Sequence, residues 1–252
     1  MTTEAELLAA VTAHPDDDAP RIALAKLWGG AHERYVLGQL NTYAAARAGT
    51  PDPDAIAIRQ LVAGKERAWA GPIADRVLAW HFVRGFPEWI VVDAARFARE
   101  WQELEKLAPI RHLDPVHAGS DAASAALFQS PGLAQLVSLS FNITGPHFDP
   151  VDGNIVMPLV NSPHLGKLRF LDLRRTKLTI DDKVLVAMAT NMPALECLLF
   201  DDLEETIGTD YDGSIQSGYP NAALVAFEKQ FGPARALHYT ERTHRIPVRD
   251  YF

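Results

Sequence analysis

Apolar residues recur every three or four positions through the first third of the chain, which is the pattern of amphipathic helices. The first helix is predicted to begin after Thr3, because Thr3 and Glu6 form a T-x-x-E capping box. It should end at His14, since a residue before proline avoids helical backbone. Three further helices are predicted over 20–28, 32–48 and 54–70. Residues 1–76 are therefore expected to form a helical N-terminal region.

Two runs of β-forming residues come next, at 77–83 and 88–93, on either side of the segment Arg84-Gly85-Phe86-Pro87. A glycine and a proline between two such runs predict a β-hairpin. The apolar stripe over 94–107 then predicts an amphipathic helix. We expect this hairpin and helix, 77–106, to join the N-terminal region to the second half of the chain.

A leucine pattern dominates that second half, 107–252. Its clearest copy is Leu165-x-x-Leu168-x-x-Leu171-x-Leu173, and weaker copies start at 107, 133, 195 and 231. The spacings between starts are 26, 32, 30 and 36 residues, and periods of this size are typical of solenoids. We expect about five stacked strand–helix units, with the C-terminal segment 239–252 covering the last one.

The unit from Leu168 to Leu195 combines a predicted strand, a turn at Thr176 and an amphipathic helix. It resembles a leucine-rich repeat of the ribonuclease-inhibitor type. That resemblance implies an α/β fold: a short, irregular solenoid with parallel strands on its concave face, helices outside, and the N-terminal helices as a cap. In that family the position of Thr176 holds a side chain that ties down the turn.

The N-terminal half carries a second resemblance. The segments Glu4–Arg21, Phe82–Phe86, Val91–Phe97 and Leu107–Leu113 together look like the bacterial repeat-companion domain, which precedes leucine-rich repeats. Where the family usually has Ala-Asp-Trp-Leu, this chain has Ala25-Lys26-Leu27-Trp28, so the copy is divergent. The resemblance implies a fold and no catalytic residues.

Composition narrows the function classes. The 252 residues carry 24 Lys+Arg against 32 Asp+Glu, a net charge of −8 that disfavours binding along nucleic-acid phosphates. Cys197 is the single cysteine, which excludes an intrachain disulfide and favours a buried structural thiol. The N-terminal sequence lacks the basic segment of a signal peptide, and no apolar run is long enough to span a bilayer. We therefore expect a cytoplasmic, monomeric protein that binds neither nucleic acid nor membrane.

The candidate site is the predicted concave face, because side chains that alternate with the strand leucines point away from the core. Aligning the copies places Asp114, Ser140, Asp172 and Asp202 in one column, with Phe170 and Phe200 in the column beside it. Acids next to exposed aromatics are typical of a protein-binding surface, and the alternative is a solvated sheet face. The predicted partner-binding residues are His112, Asp114, Asn142, Phe170, Asp172, Arg174, Phe200, Asp202, Glu204 and His238.

Motifs for catalysis or metal binding are missing from the sequence. It contains no G-x-S-x-G, G-x-x-x-x-G-K-[ST], G-x-G-x-x-G or H-E-x-x-H. The acidic triplet Asp16–Asp18 is a possible metal site, but helix capping explains it better. Asp210-x-Asp212 resembles half of a calcium loop and lacks the later ligands. We expect no metal and no cofactor.

The pattern favours a non-enzymatic protein-interaction module that binds a partner protein with a basic patch on its concave face. An immunity or antitoxin-like protein, or a regulatory protein, would be a module of this kind. The alternative is an enzyme or small-ligand sensor that uses the long insertion 206–221 as a lid. A deep pocket with convergent polar groups would favour the alternative.

Overall fold

The computed structural model describes residues 2–118, 121–141, 155–173 and 182–199. They form a mixed α/β structure whose six-stranded sheet is mostly parallel and follows the order of the chain, from β1 to β6. By their contacts, these residues divide into two compact units, 2–92 with 100–111 and 93–99 with 112–199. The expected boundaries at 76 and 106 stay predictions. The fifth leucine copy and the C-terminal cover lie outside the described residues.

The first unit is built from helices followed by a hairpin. Its helices are α1 (Glu4–Ala13), α2 (Asp18–Trp28), α3 (Gly30–Arg47), α4 (Ala55–Val62) and α5 (Glu66–Ala70), with a 3-10 turn at Gly71–Asp75, and its strands are β1 (Ala79–Val83) and β2 (Phe86–Asp93). Helix α6 (Ala94–Glu105) comes directly after β2.

Local signals explain most of the helix ends. The capping box is confirmed: the Glu6 backbone N–H donates to Thr3 Oγ1, and the Thr3 N–H donates to Glu6 at 2.7 Å. The single helix predicted over 54–70 is wrong, because the chain breaks between α4 and α5. Gly64 lies in that break with φ +74°, a left-handed conformation that glycine adopts without steric cost and that a helix interior excludes.

The predicted hairpin is confirmed. Strands β1 and β2 are antiparallel, with Ala79 opposite Val91 and His81 opposite Trp89. The turn places Arg84 at φ +51° and Gly85 at φ +85°. A Cβ on Gly85 would lie 2.8 Å from the Val36 Cα in α3, so this turn accepts only glycine at that position without movement. Phe86, the next residue, joins the apolar core that α1, α2 and α3 form around Val11, Leu24 and Val36.

The second unit alternates strands with helices or helical turns. Its elements are β3 (His112–Val116), α7 (Asp121–Phe128), a 3-10 turn at Pro131–Gln135, β4 (Ser138–Ser140), α8 (Val156–Val160), β5 (Phe170–Asp172), α9 (Asp182–Asn191) and β6 (Cys197–Leu199). Strands β3 to β6 are parallel. Each leucine at the centre of the pattern is buried, which explains why the sequence repeats there.

Strand register corrects the predicted alignment of the fourth copy. Leu113, Leu139, Leu171 and Leu198 lie side by side in neighbouring strands. The predicted alignment places Leu198 beside Leu168, three residues out of register. Backbone hydrogen bonds show the reason, since Leu195 N–H donates to Met192 just as Leu168 N–H donates to Leu165. The fourth copy therefore starts at Met192, whose buried side chain takes the position of a leucine.

Polar side chains connect the second leucine copy to the first and the third to the second. Ser162 Oγ donates to the Phe128 carbonyl at the end of α7, and Asn191 Nδ2 donates to the Val160 carbonyl at the end of α8. The donor–acceptor distance is 2.6 Å in both bonds. These bonds satisfy carbonyls that a helix leaves without an internal partner. Repeated strands, leucines and carbonyl bonds together position the face on which the candidate site was predicted.

Candidate functional site

Four of the ten predicted partner-binding residues lie within the described residues: His112, Asp114, Phe170 and Asp172. The other six, Asn142, Arg174, Phe200, Asp202, Glu204 and His238, lie outside them, as does the insertion 206–221. Their role in partner binding stays a prediction.

Burial on this face differs from the expectation of an open, exposed surface. Phe170 is 4% exposed, His112 is 3% exposed and Asp172 is fully buried, while Asp114 is half-buried. All three residues of β4 and of β5 are buried, so these strands have no solvated face. Parallel strands are commonly covered on both sides, and alternation in the sequence does not reveal it.

The predicted acidic column is also wrong in its fourth member. Asp172 is level with Ser140 on one side and with Leu199 on the other, so Asp202 is not its neighbour in the register. Likewise, Phe170 is paired with the half-buried Cys197, and not with Phe200. The predicted arrangement of acids beside aromatics therefore does not form between β5 and β6.

A buried ionic cluster, consisting of Glu88, Arg21, Arg84 and Arg111, lies in the first unit and was not predicted. Glu88 is 1% exposed, and its carboxylate lies 2.5 Å from Arg21 Nη1 and 3.3 Å from Arg84 Nη2. The Arg111 backbone N–H donates to the Glu88 carbonyl over 2.9 Å. Arg21 is fully buried, and Arg84 and Arg111 are nearly so. Charged side chains are this deeply buried only when they are paired.

The acidic triplet completes this cluster from the solvent side. Asp16 pairs with Arg111 at 3.2 Å, and Asp18 lies 3.5 Å from Arg84. Asp17 accepts from the Ala19 N–H, which confirms the expected cap on α2. The Pro15 carbonyl accepts from both Arg21 and Arg84. The three arginines thus fix the turn between α1 and α2.

Burial dominates the electrostatics of the cluster. Burial raises the pKa of Glu88 above its ordinary value, and the positive charges of Arg21, Arg84 and Arg111 oppose that rise. Burial likewise lowers the pKa of Arg21, opposed chiefly by Glu88. Three arginines face three carboxylates, so the cluster needs no further counter-ion. This arrangement suits a clamp within the fold better than an anion-binding site.

Aromatic rings form a second feature of the first unit, a stack of Trp28, His32 and Trp69. His32 lies between the two indoles, with ring centroids 4.0 Å from Trp28 and 4.4 Å from Trp69. The rings are almost parallel, at 7° and 3°. Trp28 Nε1 donates to Glu4 in α1. Burial lowers the pKa of His32 to about 4, and the Glu4 charge offsets this only partly.

A histidine–carboxylate pair lies in the second unit, where His117 Nδ1 is 3.2 Å from Asp93 Oδ2. His117 has φ +56°, and its side chain is 61% exposed. Asp93 also accepts from the Arg96 N–H and so caps α6. This pair orients an imidazole at the surface.

Neither a metal cluster nor a membrane-spanning helix occurs in the described part of the chain. Within 2–118, 121–141, 155–173 and 182–199, no three His, Cys, Asp or Glu side chains are grouped so that they could hold a metal ion. None of the helices in these ranges is long and apolar enough to cross a membrane.

Comparisons of the chain with protein-family models, with curated proteins and with solved structures find no match.

Proposed function

We propose that the chain is a non-enzymatic protein-interaction module, built as a short leucine-rich-repeat solenoid with a helical N-terminal cap of the repeat-companion type. The observation that carries this proposal is the register of β3 to β6, in which equivalent leucines lie side by side at sequence spacings of 26, 32 and 27 residues. Stacked units of this kind present long, rigid surfaces, which suit partners too large for a pocket.

The partner is proposed to be a protein with a basic patch, bound in the cytoplasm. The supporting observation is charge: the chain carries −8 overall, and the repeat half of its sequence has acids at Asp114, Asp202 and Glu204. Charge complementarity of this kind speeds association and selects partners. An immunity or antitoxin-like role, in which the module masks a toxin, is one concrete form of the proposal.

Charge reversal tests this idea, and burial decides which residues to change. Asp172 is fully buried, so reversing its charge would disturb the fold and say nothing about binding. The double variant Asp202→Lys with Glu204→Lys is the better test, and Glu103→Lys is its control because Glu103 is exposed on α6 in the opposite half of the chain. Binding is measured by calorimetric titration of a purified candidate partner, such as the product of a neighbouring gene.

We expect the double variant to weaken binding at least tenfold, and we expect the loss to shrink as salt is added, since salt screens the attraction between opposite charges. The control should bind like the unchanged protein. Equal affinity of all three proteins for a partner that does bind would contradict the acidic surface while leaving the interaction module intact. Turnover of a small molecule by the purified chain would contradict the module itself.

A further inference from the structure

The stack of Trp28, His32 and Trp69 joins three helices through their aromatic rings. Trp28 ends α2, His32 lies in the first turn of α3, and Trp69 comes from α5. Both indoles and the imidazole are half-buried. The stack is therefore a contact that α5 makes with the rest of the helical unit.

Apart from this contact, little buried surface holds helix α5 in place. It has five residues, and Gly64 and Gly71 flank it with φ +74° and +65°. Residues 63–68 are all exposed, while Trp69 and Ala70 carry the burial. Segments with so little buried surface open at low free-energy cost. The two glycines are positions at which the backbone can turn without steric penalty.

We propose that the stack is an acid-operated clasp: neutral His32 holds Trp69 and α5 against α3, and protonation of His32 releases them. The imidazole is well placed for this role because His32 Nε2 is buried and makes no hydrogen bond with any described residue. Protonation puts a hydrogen on both ring nitrogens, so the closed stack would bury a charged donor without an acceptor.

Charged groups around the stack come from every neighbouring helix. Glu4 of α1 bonds to Trp28 and favours the charged imidazole, and the Lys65 ammonium lies 5.1 Å from the ring centroid of Trp69. Arg59 of α4 and Glu66 of α5 act on Tyr35, whose ring contacts Trp69. Lys26 of α2 is exposed. Burial outweighs Glu4 and lowers the pKa of His32 to about 4.

The direction of the pH effect follows from this lowered pKa. Folded His32 resists the proton that an unfolded or released His32 accepts near 6.5. The closed stack is thus favoured at and above pH 6.5 and loses that advantage as the pH falls toward 4. An attraction between an imidazolium and the indole faces acts the other way, and a direct titration shows which effect is larger.

The experiment is an NMR titration of His32 in the full chain, together with near-UV circular dichroism from pH 7.5 to 4. We expect His32 to titrate at least one pH unit below 6.5, and we expect the tryptophan dichroism to fall over the same range. His32→Phe keeps a ring between the indoles but cannot be protonated, so its dichroism should stay constant there. His117→Asn removes an exposed histidine and should behave like the unchanged protein.

Two results would overturn the clasp. One is a His32 that titrates at 6.5 or above in the folded chain. The other is a His32→Phe variant whose dichroism changes with pH as the unchanged protein does. If His32→Phe does not fold, the NMR titration of the unchanged protein still decides, because a stack that closes on a neutral ring requires the lowered pKa.

Discussion

The two units of this protein reach a buried interior by different means. In the second unit the same element recurs: a short parallel strand whose central leucine lies beside the central leucines of the neighbouring strands. The first has an apolar core without a repeat, and it also buries a carboxylate among three arginines. A repeat tolerates irregular spacing as long as each strand finds its register, whereas a charge cluster requires every member. The two should therefore differ most in how they respond to substitution of a charged residue.

Removal of the Glu88 carboxylate should have the largest effect. Glu88→Ala leaves Arg21, Arg84 and Arg111 buried with too few negative charges, and loss of one partner from a buried ion pair costs about 3–5 kcal/mol of unfolding free energy. Urea denaturation measures the change. The control is Glu103→Ala, whose exposed pair with Lys106 should contribute less than about 1 kcal/mol. Equal, small losses of unfolding free energy in the two variants would mean that the buried cluster does not stabilise the fold.

Truncation of a buried leucine should lower the free energy of unfolding slightly less than Glu88→Ala does, and by the same amount in both units. Leu24 in α2 and Leu171 in β5 are both fully buried. Each change to alanine should lower the unfolding free energy by about 3 kcal/mol, through lost burial and the cavity left behind. Met157→Ala, at a side chain that is 52% exposed, should stay within about 1 kcal/mol. A near-neutral Leu171→Ala would mean that the register of β5 is wrong.

The exposed ion pair between neighbouring strands should give the smallest effect. Arg169 and Glu196 form two hydrogen bonds, of 2.8 and 2.6 Å, and both side chains are more than half exposed. A double-mutant cycle with Arg169→Ala and Glu196→Ala should yield a coupling of about 0.5 kcal/mol, further reduced in high salt. A coupling above about 2 kcal/mol would show that polar contacts, and not leucines, hold this unit together.

Local patterns in the sequence predict much of this fold. The capping box at Thr3, the hairpin around Gly85 and the strands at Leu139 and Leu171 follow from short-range preferences that tertiary contacts do not override. The break at Gly64 could have been predicted from the glycine, but the apolar spacing continues past it. The leucine pattern places the fourth copy out of register because Met192 stands where the other copies have a leucine.

The candidate sites were harder to predict, for a physical reason. Arginine and glutamate ordinarily lie at the surface, so nothing in the spacing of Arg21, Arg84 and Glu88 indicates that they are buried together. Arg21 ends the segment Glu4–Arg21 and Arg84 lies within the segment Phe82–Phe86, on which the expectation of a companion domain depends, and this is the signal in the sequence that points to them. Similarly, alternation along β5 indicates which side chains share a face, but not whether that face is covered.

The order of the sheet has a consequence for synthesis. Each of β4, β5 and β6 pairs with the strand made just before it, so its partner is already complete when it leaves the ribosome. Domains form from the N-terminus during translation, and pairing between successive strands needs no wait for distant segments. Strand pairing in this part of the sheet thus follows the order of synthesis, one strand at a time.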